Sequence, residues 1–100
     1  MSRVLVSGDG GSVRVSEAAL VQLVDGAVSS VDGARLQKRR RLSLDLADGR
    51  ARAGVDVAVA YGLVLPDVAR AVQEKVADAL ARTCDVEMDG VDVTVVELSR

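Results

Sequence analysis

Two runs of alternating apolar and charged residues flank Asp48 and Gly49, the dipeptide favoured in a type I′ turn because both central positions require positive φ. This pair fixes a hairpin and its register. Pairing Ala47 with Arg50 sets Leu46 opposite Ala51, Leu44 opposite Ala53 and Leu42 opposite Val55 on one face. The other face then carries Asp45 opposite Arg52 and Arg41 opposite Asp56. Slipping the pairing by one residue would turn the leucines to water. Val57 and Val59, with Ala58 and Ala60 between them, extend the second strand with the near-continuous apolar pattern of an interior strand.

Helical periods lie on either side of the hairpin. Ser16 offers an N-cap hydroxyl and Glu17 a first-turn negative charge, followed by Leu20, Leu23, Val24, Ala27 and Val31 along one face. Gly33 is a suitable stop. Pro66 suits the first helical position of a second helix after Leu65, with Asp67 beside it. That helix is predicted to run to about Thr83, with Ala69, Val72, Val76, Ala79, Leu80 and Thr83 inward, and Arg70–Glu74 and Asp78–Arg82 as exposed pairs. Val91, Val93 and Val95 alternate with Asp92 and Thr94 in a last strand reaching Leu98. A first strand is predicted over Val13 to Val15, with Arg3 to Ser7 a further short strand within a flexible, Gly-rich leader over residues 1–12.

The order is strand, helix, strand, strand, helix, strand, predicting an α+β fold: a two-layer sandwich with both helices on one face of a four-stranded sheet. A ferredoxin-like arrangement would set the first and third strands side by side. Residues 13–100 are read as one domain. Its 49% hydrophobic residues are nearly all Val, Ala and Leu, with no Phe, Trp or Ile and only Tyr61 aromatic, so many small side chains must fill the interior. Tyr61 is expected to fill the core's largest gap, and Cys84 to be a small buried apolar residue.

With no His in the chain, the commonest neutral-pH general base and metal ligand is missing. The expectation is a protein without enzymatic activity, cofactor or metal. Asp85, Glu87, Asp89, Gly90 and Asp92 resemble the start of a calcium loop, but Val96 stands where the bidentate Glu is needed. This segment is read as a solvated turn before the last strand. A single cysteine closes no intrachain disulfide, and the longest apolar stretch, nine residues from Val57 to Leu65, falls short of the roughly twenty that span a bilayer. The chain is read as intracellular.

Function is therefore sought on surfaces. Arg35, Lys38, Arg39, Arg40 and Arg41 place five cations within seven residues, and the hairpin register puts Arg52 on the same face as Arg39 and Arg41. An acidic protein partner or phosphates could bind there; such charge also protects an edge strand from unwanted pairing. A protein partner is preferred over nucleic acid, because single-strand binders stack bases on aromatic rings.

Val15 to Leu20 at the start of the first helix, Val31-Asp32-Gly33 at its end, the block Tyr61 to Gln73, and Val91 to Val95 together resemble the alkaline shock protein, or envelope stress response, family of Gram-positive bacteria. The likeness covers about residues 13–98. Asp92 stands where the family more usually has asparagine, and Thr83 to Val86 depart from its usual Thr-Gly pair. The resemblance implies a non-enzymatic, cytoplasmic envelope stress protein, often self-associating. Some members are held at the inner face of the cell membrane by a small separate anchor protein.

Overall fold

The computed structural model describes residues 4–8, 11–37 and 42–100. Strands β1 (Val4–Gly8) and β2 (Gly11–Val15) pair antiparallel. Helix α1 (Glu17–Ser29) follows, then β3 (Ala34–Leu36), β4 (Ser43–Ala47), β5 (Arg50–Ala60), α2 (Leu65–Cys84) and β6 (Glu87–Ser99). Strands β3 to β6 form a four-stranded mixed sheet with α1 and α2 packed on one face, so the α+β architecture is the one predicted.

The first strand is placed differently from the ferredoxin-like expectation. Val13 to Val15 pair with Val4 to Val6 in a separate two-stranded sheet, a hairpin that takes in much of the segment read as a leader. Both β3 and β4 lie antiparallel along the same side of β5, Leu36 opposite Val57 and Ser43 opposite Gly54. They are two halves of one interrupted strand: six residues separate them where β5 spends only Val55 and Asp56. On the other side β5 pairs with β6 in parallel, through the helical crossover that parallel neighbours need.

The hairpin register is the predicted one from Ser43–Gly54 to Ala47–Arg50. Asp48 at φ 54° and Gly49 at φ 77° supply the two positive values that the turn requires. β5 alternates from Arg50 to Val57, with Ala51, Ala53, Val55 and Val57 buried beneath the helices and Arg50, Arg52, Gly54 and Asp56 facing away; beyond that, Ala58 and Val59 are both buried. The small-residue core is real: its largest fully buried side chains are Leu20, Leu80 and a set of valines.

Ser16 caps α1 by accepting a hydrogen bond from the Ala19 amide at 3.1 Å, and Leu20, Val24 and Val28 are fully buried. Helix α2 buries Val68, Val72, Val76, Leu80 and Cys84. Its inner stripe therefore steps by four residues, leaving Ala69 and Ala79 at the margin and Thr83 exposed. The larger side chains along one i, i+4 ridge take the contact with the sheet, and the alanines flank it. Asp78 and Arg82 pair at 2.9 Å as expected, whereas Arg70 pairs with Asp67, at 3.8 Å, not with Glu74.

Gly33, at φ 84°, sits against Leu63; a Cβ there would overlap the leucine side chain. Thus the turn before β3 and the β5–α2 junction are packed together.

Candidate functional site

The sheet face turned away from the helices carries the charge. Along β5 the outward residues at its start are Arg50 and Arg52, and parallel pairing brings the acids of β6 beside them. Arg50 Nε donates to Asp89 Oδ1 at 2.7 Å, and its guanidinium also reaches Glu87 at 3.7 Å. Arg52 meets Asp92 with both ends of its fork, Nε to Oδ2 at 3.0 Å and Nη2 to Oδ1 at 2.8 Å. Further along, Arg35 and Gln37 both donate to Glu97, at 3.5 and 3.2 Å. Planar guanidinium and carboxylate groups match in such paired contacts.

These contacts shift the titrations. The hydrogen bond from Arg50, and then its charge, holds the Asp89 carboxyl below its usual value. Arg52 does the same for Asp92, again chiefly through the hydrogen bond. The two arginines are correspondingly raised. All four groups are open to solvent, so the pairs order the surface more than they stabilise the fold.

Several expectations are corrected here. Arg52 does stand opposite Asp45 across the hairpin as predicted, but its guanidinium turns to Asp92 on the opposite neighbour. The segment read as a solvated turn with calcium-like spacing is mostly strand. Asp85 ends α2 at φ 54°, and Glu87, Asp89 and Asp92 lie in β6 as partners of arginine. Among the described residues no group of three acids, cysteines or histidines is arranged to hold a metal ion.

Of the cationic residues singled out in the sequence, Arg35 lies in β3 and Arg52 in β5, both on this open face. Lys38, Arg39, Arg40 and Arg41 lie outside the described residues, as do the expected pairing of Arg41 with Asp56 and the placement of Arg39 beside Arg52. On the described part of the face, Arg35, Arg50 and Arg52 stand against Asp45, Asp56, Glu87, Asp89, Asp92 and Glu97, so acid is in excess. Sequence reasoning missed these acids as a set. Their alternation with Val91, Val93 and Val95 was visible, but only the parallel pairing with β5 shows which arginine each one meets.

Strand β6 is the sheet's outer lane on this side: among the described residues it pairs with β5 alone. The Gln73 side chain, from α2, donates to the Val91 carbonyl at 3.1 Å. Two register irregularities, between Ala51 and Arg52 and between Val57 and Ala58, interrupt the β5–β6 ladder.

Tyr61 is not in the core. The strand ends at Ala60, and the ring turns outward, 63% exposed, with the Arg100 guanidinium 5.0 Å from its centroid. The largest fully buried side chains are leucines and valines, and Tyr61 lies just past the last residue of β5. Leu63, Val64 and Leu65 are exposed beside it in sequence. Cys84 is buried as expected, and burial pushes its thiol up.

The described residues thus form a two-layer α+β domain with a charged open face and a long outer strand that pairs, among them, with β5 alone. The chain belongs to the alkaline shock protein 23 family, a family with a cell envelope-related function, whose profile matches residues 6–100. No curated protein and no solved structure matches it. No helix among the described residues is long and apolar enough to cross a membrane.

Proposed function

We propose that this chain is a non-enzymatic interaction module of the envelope stress response, which acts by binding another protein or further copies of itself. The observation carrying this reading is the 13-residue β6, which among the described residues is paired on one side only. Such an edge offers a row of main-chain donors and acceptors to an added strand. A small membrane-anchor protein is a fitting partner for an envelope-related chain in which no helix among the described residues is long and apolar enough to cross a membrane. Work at the inner face of the membrane, in the cytoplasm, follows from that partner.

Sedimentation and crosslinking over a wide concentration range test self-association, and pull-down from membrane and soluble fractions tests a separate partner. A chain that stays monomeric and captures nothing overturns the proposal. The second reading, nucleic acid bound through Arg35 to Arg41, is favoured by the five cations of that run. It predicts a mobility shift that weakens steeply with salt and is lost in Arg39→Glu/Arg41→Glu. The carboxylate contacts of Arg35 and Arg52 count against it, because a phosphate would have to displace Glu97 and Asp92.

A further inference from the structure

Every ionisable side chain of β6 is acidic: Glu87, Asp89, Asp92 and Glu97, with no lysine or arginine between Glu87 and Ser99. Its register sets Glu87, Asp92 and Glu97 outward, level with Arg50, Gly54 and Ala58, and Val91, Val93, Val95 and Leu98 toward the helices. Beside this strand an open groove of about 410 Å³ crosses from the helix layer to the open face. It is lined by Gln73, Glu74 and Ala77 of α2, by Asp89, Gly90, Val91 and Asp92 of β6, and by Arg52 of β5, whose charge Asp92 already meets, so that Asp89 and Glu74 leave the groove acidic. Glu74 adds a further carboxylate on the helix side.

This pattern discriminates between occupants of the edge. Two copies of β6 laid against each other, in either direction and at any register, would bring only like charges together, which opposes pairing. A strand that alternates basic and apolar residues meets the opposite situation. Its cations lie over the carboxylates, whose oxygens can accept more than the bonds that Arg35, Arg50 and Arg52 supply. Its apolar residues continue the row of Val91, Val93 and Val95 under the flank of α2. We infer that the β6 edge takes an extended basic segment of a partner protein and rejects β6 of a second copy. The inference rests on the reading of β6 as the working edge and adds the chemistry of what it binds.

Three fluorescent octapeptides titrated against the full chain test it: alternating Lys-Val, alternating Glu-Val, and Lys-Val with every second backbone amide methylated. The Lys-Val peptide is expected to bind, with affinity falling as salt shortens the screening length from about 10 Å at 0.1 M toward 3 Å at 1 M. The methylated peptide should bind at least tenfold more weakly, and the Glu-Val peptide not at all. Asp92→Asn/Glu97→Gln should weaken Lys-Val binding severalfold while circular dichroism stays that of the parent. Equal binding of Glu-Val and Lys-Val, with methylation still blocking, overturns the basic preference and leaves the edge reading standing. Methylated peptide binding as well as its parent overturns both, since attraction would then be diffuse charge. Failure of all three peptides overturns the inference as well.

Discussion

The two faces of β5 differ in almost every physical respect. Toward the helices, Ala51, Ala53, Val55, Val57 and Val59 are at most 1% exposed, and each contributes by being removed from water. Away from them, Arg50 and Arg52 remain about half exposed while contacting acids of β6. Alternation along a single strand thus separates two tasks: the inner face makes the fold, and the outer face arranges charge beside an open edge at little energetic cost. Substitutions on the inner face should therefore unfold the protein, and those on the outer face should change binding while leaving stability nearly alone.

The largest break in this contrast is expected from Leu80→Ala, which removes a side chain 1% exposed. Chemical denaturation should show a loss of about 2–5 kcal/mol. A loss below 1 kcal/mol would mean that the inner face is not what holds α2 to the sheet. Next comes Gly33→Ala: the left-handed backbone alone costs about 1–2 kcal/mol, and Leu63 must also move aside. Thermal melting measures the sum, and an unchanged melting temperature would deny the packing of these two turns. Ser16→Ala should cost about 1 kcal/mol through the lost cap of α1, read by denaturant midpoint.

The smallest effect sharpens the contrast from the other side. Asp89 and Asp92 titrate below the unfolded carboxylate value of about 3.9. Their contribution is complete above that value and is lost as pH falls through the lower folded value. Amide-exchange protection in the first half of β6, taken relative to the intrinsic rate at each pH, should fall on acidification below about pH 4 before that of Val55 to Val59 changes, and Asp89→Asn/Asp92→Asn should remove this step. Simultaneous loosening of both regions would show the two faces to be coupled.

Legibility in the sequence followed how local each determinant was. The hairpin at Asp48-Gly49, the Ser16 cap and the placing of Pro66 in the first turn of α2 depend on neighbours in the chain, and all could be read from residue order. The family could be read as well, from blocks such as Tyr61 to Gln73. The partners of Arg50 and Arg52 could not, because Asp89 and Asp92 reach them only across a parallel pairing set by the α2 crossover. Burial tendency placed Tyr61 inside, but β5 ends at Ala60 and the ring lies beyond it, 63% exposed. The pairing of β1 with β2 escaped notice because the glycines around residues 8–11 read as a leader, although they also suit a tight reversal.

Tyr61 has a practical consequence. It is the sole chromophore of consequence in a chain with no tryptophan or phenylalanine, so ultraviolet emission arises from a single address. Its backbone amide donates to the Ser99 carbonyl at 2.7 Å, at the opposite end of β5 from Arg50 and Glu87. Emission should respond when a visitor reaches the last residues of β6 and stay silent when one stops near Glu87, an unlabelled gauge of how far along the strand occupancy extends.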